Sequence, residues 1–108
     1  MTDATNQIAL TSAFMRPYMA EVRKHDYYKL VRSRMAAELA GAPSYPSEDI
    51  RDEYSSLVLD IKKTVMQDLL TWTLSEHIYC DETYFSIGFL ADTVARTALV
   101  CAIAADEN

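Results

Sequence analysis

Residues 48–78 read EDIRDEYSSLVLDIKKTVMQDLLTWTLSEHI. Ile50, Tyr54, Leu57, Val58, Ile61, Val65, Leu69 and Trp72 fall at spacings of three and four, which place them along one side of an α-helix. From Leu59 onward a second apolar stripe joins the first on another face: Leu59, Met66, Leu70 and Leu74. A helix apolar on two sides packs between neighbours. At 1.5 Å per residue, a helix from Glu48 to Ile78 spans ~45 Å. This long helix decides the fold class: an all-α small helical bundle of three to four helices around one long central helix.

Towards the C-terminus, a break is expected near YCDET (residues 79–83), with Asp81 or Thr83 capping a last helix. In that helix Gly88, Ala91, Ala95, Ala98 and Ala102 recur at alternating spacings of three and four. Such a stripe of the smallest side chains lets two backbones approach closely, so it marks either tight helix packing or an oligomer contact. Ile87, Leu90, Val94 and Cys101 occupy another face, and Phe85 and Phe89 project in a third direction. Residues 84–105 are apolar enough to suggest a membrane span. However, Asp92 and Arg96 near the centre each cost ~2.5–3.5 kcal/mol at mid-bilayer, and four residues apart they can pair on a helix. A buried Ala-rich C-terminal helix in a soluble bundle is the expectation, with no membrane partner. Helix four and the second half of the long helix present more apolar surface than so short a chain readily covers, so a homodimer or larger homo-oligomer is expected.

Towards the N-terminus, the segment GAPSYPS (residues 41–47) is the one turn-rich stretch and predicts a hairpin between helices, with Gly41 as a C-terminal cap and Ser47 as an N-cap. Tyr45 is expected to lay its ring over a helix end, and Tyr79 and Tyr84 to do the same beside the last turn. A first helix is expected over about Asp3 to Met15, with Ile8, Leu10, Phe14 and Met15 as its apolar side. Pro17 would end or kink it. A second helix would then run from there to Ala40.

That second helix carries RPYMAEVRKHDYYKLVRSR, residues 16–34, and with it six of the ten Lys and Arg residues of a chain whose formal net charge is -6. On a continuous helix Arg16, Arg23, Tyr27 and Arg34 lie within about 20° of one direction, with Lys24 and Tyr28 beside them. Three readings of this basic stripe compete: a charge match to the acidic start of the long helix, Glu48 to Glu53; a surface for an acidic partner protein, since Arg and Tyr are enriched at binding hot spots; and a nucleic-acid contact, in which cations neutralise phosphates and rings stack on bases. The acidic remainder of the chain repels a polyanion, and the sequence contains no known nucleic-acid-binding signature.

Catalytic and metal chemistry find little support. Glu48, Asp49, Asp52 and Glu53 cluster, and Asp60 and Asp68 follow, but a di-iron bundle requires Glu-x-x-His pairs and only the four-apart Glu21 and His25 come near. An acidic surface that mimics nucleic acid is a further possibility. His77 and Cys80 would share a helix face, yet a nucleophilic dyad also needs an orienting group and an oxyanion pocket. Two cysteines make no disulfide framework, and residues 1–15 lack the basic start of a signal peptide. The expectation is therefore a cytoplasmic, single-domain, non-enzymatic interaction protein (a regulator, adaptor or inhibitor) without cofactor or metal. Its partner-binding residues would be Arg16, Arg23, Lys24, Tyr27, Tyr28 and Arg34. A nucleic-acid-binding dimer using the same basic helix is the alternative.

Overall fold

Four helices carry the chain: α1 (Thr2–Lys24), α2 (Tyr28–Gly41), α3 (Arg51–Ser75) and α4 (Asp81–Glu107), with one 3-10 turn, Glu48–Ile50, leading into α3. This computed structural model describes the backbone of residues 2–41, 48–78 and 80–107, and the side chains of 13–35, 48–78, 80–84 and 86–107. The fold is an all-α bundle, and the described residues form no strand. The readings of Ile8, Leu10, Tyr45, Ser47, Tyr79 and Phe85 lie outside these side chains.

The helix boundaries depart from the sequence reading in three places. First, Pro17 sits inside α1 and does not end it. A mid-helix proline removes one backbone hydrogen bond and strains the preceding turn, but Met15, Tyr18 and Val22 are buried on one side of α1 and hold it across that point. The break falls instead at residues 25–27, where no glycine or proline signals it. There His25 Nδ1 accepts the Tyr27 amide at 3.1 Å, while Nε2, left with the ring proton, donates to Asp60 at 2.8 Å. A side chain that bonds its own backbone and a neighbouring helix at once makes an effective local turn.

Second, α3 stops at Ser75, short of Ile78. The Ile78 amide donates to Thr73 O and the His77 amide to Leu74 O, with His77 at φ 58°. This is a Schellman ending with histidine in the left-handed position that glycine usually takes. Third, the residue preceding α4 is Cys80, whose carbonyl accepts the Thr83 and Tyr84 amides, so neither Asp81 nor Thr83 is the cap. Asp81 and Glu82 lie in the first turn, where acids meet the helix dipole.

At the centre is α4, and each of the other helices packs more extensively on it than on any other. Its fully buried Ala91, Ala95, Ala98 and Ala102 let α1, α2 and α3 come close, and Leu99 and Ile103 fill the space beside them. Gly88, at the open end of the same stripe, has nothing within 4 Å of where a Cβ would stand. Four members of the stripe therefore pack inside this chain, and the fifth does not. By length and composition α4 could also cross a membrane, but 44% of its most apolar window is buried in the bundle. Asp92 pairs with Arg96 at 2.8 Å, and Arg96 also donates to Tyr54 Oη at 3.2 Å.

The molecule measures 42 × 35 × 22 Å. With helices about 10–12 Å across, the shortest dimension is two layers of helix. His25 beside Asp60 and Tyr18 beside Asp68 set α1 antiparallel to α3. The α3/α4 pair has one face under α1 and α2, and its other flank is open.

Candidate functional site

The basic segment of residues 16–34 is divided between two helices by the turn at 25–27, so its cations do not form one stripe. Part of it closes the bundle. Arg23 Nε lies 3.2 Å from Asp106, and Arg32 donates to Glu107 at 2.8 Å and to the Asp106 carbonyl oxygen at 2.7 Å. Tyr28, buried at 3% exposure, donates its hydroxyl to the Asp106 carboxylate.

These contacts have a clear electrostatic reason. Asp106 and Glu107 stand in the last turn of α4, where a carboxylate opposes the helix dipole. Arg23 and Arg32 offset that unfavourable placement, and Arg32 also takes up one of the terminal carbonyls. The Tyr28 hydroxyl and then Arg23 hold the Asp106 carboxyl below the ordinary range. Burial first, and then Asp106, pushes the Tyr28 phenol up to about 12. Burial and Asp68 do the same to Tyr18, whose hydroxyl lies 2.8 Å from that carboxylate.

This corrects the reading of the segment in two respects. The continuous basic rod does not exist, and the internal charge match is to the end of α4, not to Glu48–Glu53. Arg23 and Tyr28 are structural members of that closure. Lys24 pairs with Glu21 at 3.6 Å, and Tyr27 stands 41% exposed against His25. Arg16 and Arg34 are exposed and form no ion pair among the described residues.

The candidate chemical groups stay apart. Because α3 ends at Ser75, His77 and Cys80 do not share a helical turn. Cys80 is exposed, and its thiol is lowered by hydrogen bonds from the Thr83 and Glu82 amides at the start of α4. Among the described residues no three His, Cys, Asp or Glu side chains gather in a metal-binding arrangement. Glu48 pairs instead with Arg51, at 3.9 Å.

At the opposite end from the Arg23–Asp106 closure lies the surface that reading residue types in sequence did not find. Leu69, Trp72 and Thr73 of α3 face Thr83, Ile87 and Leu90 of α4 across a groove of about 330 Å³, with Glu82 and Ser86 on its rim. Trp72 follows Tyr54 by eighteen residues, about five turns, so the two rings leave α3 in the same direction. Tyr54 is 2% exposed and Trp72 is 54% exposed. The core stripe of α3 is covered at Tyr54 and exposed at Trp72.

Leu90 and Phe89 continue the apolar surface on α4, with Phe89 at 80% exposure. Around α4, Leu90 stands about 160° from Asp106, the residue that meets α1 and α2. The groove therefore occupies the open flank of the α3/α4 pair. Its floor is apolar: buried Thr73 donates its hydroxyl to Leu69 O at 2.7 Å, and no buried side-chain nitrogen or oxygen among the described residues lacks a partner. No protein-family model, curated protein or solved structure matches the chain.

Proposed function

We propose that the chain is a small non-enzymatic interaction module that captures a partner protein on the open α3/α4 flank. The observation that supports this best is Trp72, a core-aligned aromatic left half in water, with Leu90 lining the same groove. Large apolar side chains gathered round a concavity and rimmed by polar groups mark contact sites on small proteins, and Trp is among the residues that most often dominate binding energy.

Placing the contact here moves it away from the basic segment. Arg23 and Tyr28 are engaged in holding α1 and α2 to the end of α4, and the turn at 25–27 divides Arg16 and Lys24 from Arg34. Nucleic-acid binding, the alternative reading, would rest on those scattered exposed cations and predicts retention on an RNA or DNA column that falls steeply with salt. Absence of retention at low salt removes it.

The test uses the chain's single tryptophan as its own probe. Partner capture should shift Trp72 emission to the blue and shield it from acrylamide. Trp72→Ala and Leu90→Ser should abolish capture while the far-ultraviolet helical signal is retained. Capture that survives both substitutions refutes the α3/α4 assignment.

A further inference from the structure

The reading of the groove as a contact face can be taken one step further, to the chemistry of what binds there. Residues 64–95, which include the C-terminal part of α3 and the N-terminal part of α4, contain Asp68, Glu76, Asp81, Glu82 and Asp92 and not one Lys or Arg. The carboxylates of Glu76, Asp81 and Glu82 form no ion pair among the described residues. All three belong to the end of the α3/α4 pair where the groove lies, and Glu82 lines it. We propose that the groove receives a short cationic amphipathic helix of a partner protein, which sets one or two large apolar side chains against Trp72 and Leu90 and turns Lys or Arg towards Glu82, Asp81 and Glu76.

Three features select this occupant. The floor is apolar with its one buried hydroxyl already used, so what enters the groove is hydrocarbon and polar recognition is confined to the rim. The wall on α4, from Glu82 to Leu90, is about 12 Å long, which matches two turns of a third helix with anchors at i and i+3 or i+4. The rim is acidic and pairs with no Lys or Arg among the described residues, so a basic polar face gains attraction on approach and an acidic one is repelled. The same charge disfavours a second copy seated symmetrically on this end, since a two-fold contact would bring two cation-free acidic surfaces together. It also opposes an anionic lipid surface.

The experiment uses the intact chain and three synthetic fourteen-residue peptides: one with Leu and Phe anchors on a Lys/Arg polar face, one with the same anchors on a Glu polar face, and one with the basic composition scrambled to destroy amphipathicity. Trp72 emission is followed at low and moderate salt. The proposal expects a saturable blue shift with the basic amphipathic peptide alone, weakened about tenfold by the combined Glu76→Gln, Asp81→Asn and Glu82→Gln changes and weakened by salt. Equal binding of the basic and acidic amphipathic peptides overturns the charge selection and leaves the apolar contact face standing. No shift with any peptide overturns the inference. If partner capture also survives Trp72→Ala and Leu90→Ser, the contact-face reading fails with it. A blue shift that grows with protein concentration in the absence of peptide, matched by a dimer in sedimentation, overturns the inference in favour of a second copy. Thermal melts of each variant show that the fold is intact.

Discussion

The two ends of this bundle are built on opposite terms. At the end where α1, α2 and α4 meet, Arg23, Tyr28 and Arg32 engage Asp106 and Glu107, and the side chains beneath, Val22, Val31 and Leu99 among them, are fully buried. At the end where α3 turns into α4, the same kinds of apolar side chain stand in water, and Glu76, Asp81 and Glu82 pair with no Lys or Arg among the described residues. The two ends share α4, and charge separates them: Arg23 and Arg32 stand at one, and residues 64–95 hold no Lys or Arg at the other. What also differs is cover: at one end Val22, Val31 and Leu99 are fully buried, and at the other Trp72, Phe89 and Leu90 stand exposed on α3 and α4. The first end is finished by its own residues, and the second is the contact face proposed above.

The comparison breaks first if the two ends prove equally sensitive to truncation. Leu99→Ala at the closed end removes a fully buried side chain and should cost about 2–5 kcal/mol in denaturant unfolding. Phe89→Ala at the open end should change stability by less than about 0.5 kcal/mol. A second effect bears on the central stripe. Ala98→Leu forces extra methylenes between α4 and its neighbours and should destabilise by about 1–3 kcal/mol, again by denaturant midpoint.

The third contrast is between stability and capture. Trp72→Ala should leave the unfolding free energy within about 1 kcal/mol of the parent and weaken partner capture by about 2 kcal/mol, read by titration calorimetry. Loss of fold with loss of binding would place Trp72 in the core after all.

pH separates the ends next. The folded Tyr28 phenol sits at about 12 against an ordinary ~10, so its contribution is fully present below about pH 10 and is lost as pH rises towards 12. Asp106 works in the other direction: its carboxyl is depressed, so its contribution is held above about pH 4 and is lost as pH falls through the folded value. Tyr28→Phe should remove a late component from the alkaline phenolate titration and flatten the acid limb of the stability curve. A titration unchanged by that substitution would mean that the Tyr28–Asp106 contact does not form. A small gain is expected at Gly88. With open space around it, Gly88→Ala should stabilise α4 by about 0.5–1 kcal/mol, measured by thermal melting.

How far the sequence alone could be read follows from the range of the forces involved. The stripes of α3 and the small-residue face of α4 are periodic and local, and periodicity identified both helices and the fold class. The turn at 25–27 was invisible because it is made by one histidine bonding its own backbone and Asp60, a residue thirty-five positions away. Pro17 does not end α1 for the converse reason, since burial of Tyr18 and Val22 outweighs a missing backbone bond.

The charge pairing was expected in kind and misplaced in position. Helix dipoles and carboxylates can be read from sequence, but the neighbour of the basic segment is set by tertiary packing, and that neighbour is the end of α4. The open groove could have been suspected from two signals: a tryptophan at the tail of a core stripe, and thirty-two residues without a cation. Neither shows which part of the stripe lacks cover until the helices are assembled.

The central claim is that the α3/α4 end of the folded chain lies open to water, with Trp72 at its middle. Acrylamide quenching of the single tryptophan in the dilute, unliganded protein measures this directly. An emission maximum close to that of indole in water, with ready quenching that the basic amphipathic peptide suppresses, is the result expected. Blue emission resistant to acrylamide at the lowest measurable concentration, where no second molecule can supply the cover, would show the groove already filled from within the chain and would contradict the account.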